Sequence, residues 1–152
     1  MDWDLIFSLT NAVALLGWVV LAVWTRTPGS FALVLNLGVG LLCLTYAILF
    51  VLLVANLVDP GRIPGAAEPD LLDYSVAGLR PLFMSDGGIV IGWTHYLAFD
   101  LFVGRWIARD ADARGVGRLA QLPFLFMTLM AGPMGLLSWL LFRQTRKQQA
   151  AR

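Results

Sequence analysis

Four apolar segments dominate the chain, and each is long enough to cross the hydrocarbon layer of a membrane as a helix. They are residues 5–24, 31–57, 88–108 and 122–142. A helix needs about 20 residues to cross that layer, and backbone groups that face lipid must be hydrogen-bonded within the segment. The sequence therefore predicts an all-α, polytopic membrane protein folded as a four-helix bundle.

The composition agrees with a membrane protein. Hydrophobic residues make up 59% of the chain and charged residues only 14%, whereas a soluble domain of this size has about a quarter of its residues charged. The net charge is +1, which gives no field to attract nucleic acid. Membrane lipid is the expected partner, and nucleic acid is excluded.

The chain is predicted to form one transmembrane domain, residues 1–143, followed by a polar tail, residues 144–152. The sequence TRTPGS, residues 25–30, is a short turn that makes the first two helices antiparallel. The longer connection between the second and third helices contains LLDYSVAGLRPLF, residues 71–83. Its mixture of apolar and polar residues predicts a short interfacial segment that lies along the membrane surface.

The number of spans determines the predicted orientation. An even number places both termini on one side of the membrane. On that arrangement six lysines and arginines lie on the side of the termini and five on the other. Because cytoplasmic loops are enriched in these residues, this small difference predicts that both termini are cytoplasmic.

Two ionisable side chains lie inside the third apolar segment. His95 is the only histidine of the chain, and Asp100 lies near the middle of the segment. An ionisable group near the bilayer centre costs about 2.5–3.5 kcal/mol, so such residues normally face the interior of a bundle. A carboxyl removed from water keeps its proton and can donate it, and a neutral imidazole can accept one. The pair predicts acid–base chemistry on an apolar substrate, or a proton relay, in a shared interior recess.

Depth in the membrane suggests partners for these two side chains. With a rise of about 1.5 Å per residue, Asn11 is predicted at the depth of His95, and Tyr46 at the depth of Asp100. Tyr96 lies one turn before Asp100 on the same helix face. Interhelical hydrogen bonds can also serve only to hold helices together, at about 0.6 kcal/mol each. For Asn11 and His95 this structural explanation stays open.

Charged residues cluster where the third segment ends. Arg105 and Arg109 are one turn apart, and Asp110 precedes Arg114 by one turn. The cluster is either a salt-bridged helix end that reaches toward water or a cationic collar that holds Asp110 or a polar head group at the membrane face. With one histidine and one cysteine in the chain, a metal site is not favoured, and no cofactor is predicted.

The fourth segment contains Gly132, Pro133 and Gly135 at its middle. A proline inside a helix removes a backbone hydrogen bond and kinks the helix, and glycines allow close approach of a neighbouring helix. The segment is predicted to be one kinked span whose bend faces the depth of His95 and Asp100.

The longest specific motif is GWTHYLAFDLFVGRW, followed by RDADARGV and LPFLFMTLMAGPMGLLSWLL. It resembles the abscisic-acid-deficient-four-like family, best over residues 86–142. Plant members are associated with neoxanthin synthesis. The resemblance implies a four-helix membrane protein that acts on a carotenoid or related isoprenoid lipid, as an isomerase that opens an epoxide without net redox change. Because no plastid transit segment is recognised, the expected location is a bacterial inner membrane.

By this resemblance, His95 is the predicted base and Asp100 the predicted acid. The candidate substrate-binding residues are Asn11, Tyr46, Trp93, Tyr96, Arg105 and Asp110. Two other functions stay open: a non-catalytic protein that binds carotenoid or lipid or supports a partner enzyme, and a small proton-coupled carrier. The sequence is compatible with an oligomer.

Overall fold

The computed structural model describes residues 1–24, 27–70 and 72–145. Within these ranges the chain is helical, and its one strand-like pairing is an isolated bridge between Arg62 and Ser85. The main helices of the described chain are α1 (Trp3–Val23), α2 (Pro28–Val54), α3 (Asp86–Ala113), α4 (Arg118–Met130) and α5 (Gly132–Arg143). The predicted all-α class is confirmed for the described residues.

Among the described helices, α1 and α2 are the two that are long and apolar enough to cross a membrane. α3 is longer than either, at 28 residues, but charged residues are concentrated near its end. α4 and α5 have 13 and 12 residues, fewer than the about 20 that a span requires. The apolar helices of the prediction are therefore confirmed, but four spanning helices are not found.

α3 is the central helix, and α1 and α2 pack on it in opposite directions. Near the start of α3, a Cβ atom at Gly87 would lie 3.0 Å from the side chains of both Trp3 and Leu53. Near its middle, Leu101 is fully buried, and its Cδ2 atom would lie 2.9 Å from a Cβ atom at Gly38. α1 thus begins where α3 begins, whereas α2 ends there.

The predicted fourth span, residues 122–142, is two helices folded against each other. Ala131, between α4 and α5, is extended, with φ −158° and ψ 80°. The rings of Phe124 and Phe142 have centroids 5.0 Å apart, whereas a continuous helix would separate the two residues by about 27 Å. Pro133 lies in the first turn of α5, where its missing N–H costs nothing. The predicted kink is therefore wrong: the chain reverses at this point.

This hairpin changes the topology. At the end of α3, Asp110 accepts a hydrogen bond from Arg143, with Nη2 and Oδ1 3.2 Å apart. Trp3, by contrast, lies beside the start of α3. The start of α1 and the end of α5 are consequently at opposite ends of the bundle, so the described helices do not support the expectation that both termini share one side. Beyond Gln144 and Thr145, the predicted polar tail lies outside the described residues.

The connection between α2 and α3 folds over the start of α3. It contains a short α-helical turn, Val76–Leu79, and a 3-10 turn, Arg80–Met84. The N–H of Ile63 donates to the carbonyl of Met84 at 3.1 Å, which ties the two halves of the connection together. The predicted interfacial segment, residues 71–83, is thus helical from residue 76 onward.

The close contact between α1 and α3 leads to a stability prediction. The ring of Trp18 lies against Gly104 so closely that a Cβ atom there would overlap it. We expect Gly104→Ala to destabilise the protein, because overpacking a buried contact costs about 1–3 kcal/mol. Thermal unfolding in detergent, followed by tryptophan fluorescence, measures the effect. Gly29→Ala is the control, since a Cβ atom there meets its nearest neighbour at an ordinary 3.6 Å; equal unfolding temperatures for the two variants would contradict this packing.

Candidate functional site

A cavity of about 720 Å³ lies between the second half of α2, the first half of α3 and the connection between them. Ligand sites in proteins commonly occupy about 300–1,000 Å³ and are mostly apolar with a few polar groups. The wall of this cavity is also mostly apolar, since phenylalanine, leucine, isoleucine and valine side chains form much of it. The polar and charged lining residues are Tyr46, Asn56, Arg62, Glu68, Ser85, Trp93, His95 and Tyr96.

His95 lies in the wall of this cavity. Its imidazole stacks on Phe99, one turn further along α3, with ring centroids 4.6 Å apart. The ring of Tyr46 on α2 lies 5.6 Å away. The side chain of His95 is exposed rather than buried. An apolar ligand in the cavity would therefore contact an imidazole held between aromatic rings.

Asp100 is buried in a different place, at 7% exposure, and it is not among the residues that line the cavity. Its carboxyl lies against Gly132, the first residue of α5, where a Cβ atom would overlap it. The neighbouring hydrogen-bonding groups are the Gly132 amide and the Tyr96 hydroxyl. In the described part of the chain, Oδ2 of Asp100 is buried without a hydrogen-bond partner. The carboxyl thus faces the positive end of the α5 dipole, a favourable place for negative charge.

Tyr96 connects the two places. It lines the cavity, and its hydroxyl accepts a hydrogen bond from the Gly132 N–H at 3.4 Å, beside Asp100. The ring of Trp93 stacks on Tyr96 with centroids 5.7 Å apart. Trp93 in turn donates from Nε1 to Oδ1 of Asn11 at 3.1 Å. Tyr96 therefore touches both the cavity and the surroundings of the buried carboxyl.

The predicted pairings of polar side chains are wrong. Asn11 pairs with Trp93 and not with His95, and Tyr46 lies beside His95 and not beside Asp100. The predicted pairs were based only on the depth of each residue in the membrane. Which side chains meet also depends on the direction in which each one leaves the helix axis of α3. Five residues turn the helix by about 140°, so His95 and Asp100 leave α3 on different faces and do not share the cavity.

Asp110 lies far from the cavity, in a network at the end of α3. Its carboxylate accepts hydrogen bonds from Nε of Arg114 at 2.9 Å, Nε1 of Trp139 at 3.0 Å and Nη2 of Arg143 at 3.2 Å. The side chains of Asp110 and Arg114 are only 11% and 10% exposed. These hydrogen bonds hold Asp110 between two arginines and fasten α5 to α3.

Arg105 also belongs to this end of the bundle. Its Nε donates to the carbonyl of Phe31 at 2.8 Å, and its guanidinium lies 5.9 Å from the centre of the Phe31 ring. These contacts join α3 to the first turn of α2. The structure therefore brings Tyr46, Trp93 and Tyr96 to the cavity with His95, but it does not bring Arg105 or Asp110 there.

The connection between α2 and α3 supplies cavity residues that the sequence did not reveal. Arg62 and Glu68 form an ion pair at the rim, and Phe83 lies against Gly92 of α3. Long loops carry no hydrophobic periodicity from which such contacts are predicted. Among the described residues, no three His, Cys, Asp or Glu side chains come together as a metal site.

The fold and the cavity together define an all-helical protein with two helices apolar enough to span a membrane and a ligand-sized, mostly apolar site beside them. Residues 5–139 match the family described as ABA DEFICIENT 4-like. The match covers most of the chain, so the protein belongs to this family, and the resemblance predicted from residues 86–142 is confirmed. Comparisons with curated proteins and with solved structures found no match.

Proposed function

We propose that the protein is an integral membrane protein that binds a carotenoid or related isoprenoid lipid in the cavity and isomerises it, in a reaction that resembles neoxanthin synthesis. α1, α2 and α3 cross the membrane, and the α4–α5 hairpin enters from one side only. α3 has 28 residues and is about 42 Å long, enough to cross the hydrocarbon layer. The observation that carries the proposal is an imidazole, His95, exposed in the wall of a mostly apolar cavity.

The proposed chemistry is an epoxide opening balanced by proton transfer. A base removes a proton from a carbon atom of the substrate, the carbon–oxygen bond breaks, and an acid delivers a proton to the oxygen. One proton leaves and one arrives, so the net change is an isomerisation. His95, which the ligand would touch, is the proposed base, with Tyr46 positioning the substrate beside it.

The acid role requires a change from the sequence prediction. Because Asp100 is not in the cavity wall, it does not reach the substrate directly. The Tyr96 hydroxyl is the proposed donor to the oxygen, and Asp100, which lies beside that hydroxyl, is a positioning residue that restores its proton.

A non-catalytic binding protein is the second candidate. The location of Asp100 favours it, since a carboxyl at the first turn of α5 also stabilises that helix end without chemistry. In that case Asp100 fixes the hairpin, and the cavity only holds pigment. A proton-coupled carrier receives less support, because His95 and Asp100 do not share the cavity.

Pigment analysis in carotenoid-producing bacteria tests the proposal. We expect the wild-type protein to convert at least one precursor to an isomer, and Asp100→Asn to lower the yield of isomer about tenfold or more, because an amide cannot relay a proton. Asparagine has nearly the same size, so protein level and co-purified pigment should stay at wild-type values.

Phe102→Ala is the control for that experiment. Phe102 lies on α3, is 46% exposed and does not line the cavity, so conversion should be unchanged. Unchanged pigment profiles for the wild type in every precursor background would refute the isomerase. If the Asp100→Asn variant converts the precursor fully, Asp100 has only a structural role.

A further inference from the structure

Charged side chains are divided unevenly between the two ends of the bundle. At the end where α1 and α3 begin, the acidic end, the described residues carry seven carboxylates against two guanidinium groups, a formal charge of −5. At the end where α3 and α5 finish, the basic end, they carry five guanidinium groups against two carboxylates, a formal charge of +3. The arginines of the basic end are Arg105, Arg109, Arg114, Arg118 and Arg143.

The hairpin produces this division. If the fourth apolar segment crossed the bundle, Arg143 would lie at the acidic end. Instead it binds Asp110 beside Arg114, so the described arginines divide five against two. The chain's other four lysines and arginines lie outside the described residues and are not needed for the difference.

We infer that the basic end contacts the anionic head groups of the cytoplasmic leaflet, which places the N-terminus and the α2–α3 connection on the opposite side of the membrane. This inference rests on the proposed membrane insertion. Cytoplasmic loops are enriched in lysine and arginine, and such residues next to a membrane are attracted to its anionic head groups. Arg109 and Arg118 are exposed at this end, free of the Asp110 network, and are placed to meet lipid phosphates.

The orientation has a consequence for the cavity. The cavity lies along the first half of α3 and under the α2–α3 connection, so it belongs to the half of the bundle nearer the acidic end. The ligand therefore enters from the non-cytoplasmic leaflet.

Labelling of single cysteines tests this orientation. In a Cys43→Ser background, Ala67→Cys places a thiol at the acidic end and Ala113→Cys places one at the basic end; both alanines are exposed. In spheroplasts treated with a membrane-impermeant maleimide, we expect Ala67→Cys to be labelled. Ala113→Cys should stay unlabelled until the membrane is disrupted. The reverse pattern, or equal labelling of both, would overturn the inference.

Carbonate extraction of the same membranes tests the proposed membrane insertion separately from the inferred orientation. Release into the soluble fraction overturns both membrane insertion and orientation, whereas retention with reversed labelling overturns the orientation alone.

The role of charge is tested by Arg109→Glu with Arg118→Glu, which should increase labelling of Ala113→Cys in intact spheroplasts. The matched control, Arg62→Glu with Arg80→Glu, changes the acidic end and should leave labelling as it was. No difference between the two double variants would refute the contact with anionic lipid.

Discussion

Asp110→Asn is expected to destabilise the protein by about 3–5 kcal/mol, the cost of removing one partner of a mostly buried ion pair. The variant removes the carboxylate that accepts hydrogen bonds from Arg114 and Arg143, and it weakens the hydrogen bond from Trp139. Because these bonds fasten α5 to the end of α3, the hairpin should detach first. Thermal unfolding in detergent and protease sensitivity of the α4–α5 region measure the two effects.

Asp112→Asn is the matched control for that prediction. Asp112 lies on the same last turns of α3 but is exposed, and its Oδ1 atom accepts a hydrogen bond from Gln121 at 2.9 Å. An asparagine oxygen can still accept that bond, so the loss of stability should be smaller than that of Asp110→Asn, at most about 1 kcal/mol. If the two variants unfold at the same temperature, Asp110 is not the point at which the hairpin is held.

The sequence predicts the helical class and the central segment of the fold for a clear physical reason. α1 and α2 are almost uniformly apolar, so length and composition alone identify them. α3 carries the motif that identifies the family, and two of the candidate residues, His95 and Tyr46, line the cavity. These features depend on residue type and local spacing, which a single sequence contains.

The reversal at Ala131 is not predictable from the same information. A run of apolar residues interrupted by Gly132 and Pro133 is equally compatible with a kinked span and with a hairpin. The contacts that decide between them are tertiary: the rings of Phe124 and Phe142, and the hydrogen bond from Arg143 to Asp110. The orientation prediction depended on four spans, and it counted Arg143 at the end of the bundle opposite to the one where the structure places it.

The pairing of polar side chains failed for a geometric reason. Depth along a helix follows from residue number, but a partner must also lie on the same side of the helix. The 140° or so between His95 and Asp100 sends one to the cavity and the other to the start of α5. Tyr96, between them in direction, reaches both, and for that reason the proposed chemistry depends on it.

His95→Ala is expected to lower isomer formation by about 100-fold or more, the usual contribution of a general base. The substitution removes the imidazole from the cavity wall but leaves the apolar lining of α2 and α3 in place. Co-purified pigment should therefore stay near the wild-type amount while conversion is lost. Liquid chromatography of pigments from cells and of pigment bound to the purified protein measures the two quantities separately.

The comparison that decides the role of His95 is with Phe102→Ala, two turns further along nearly the same face of α3 and outside the cavity lining. Both variants remove an aromatic ring from α3, so general loosening of the helix would affect them alike. Loss of conversion in His95→Ala alone indicates that the imidazole acts on the ligand. Conversion at the wild-type rate in His95→Ala would show that His95 serves only as a ring that stacks on Phe99 beside Tyr46. The cavity would then be a binding site without a base, as the non-catalytic alternative requires.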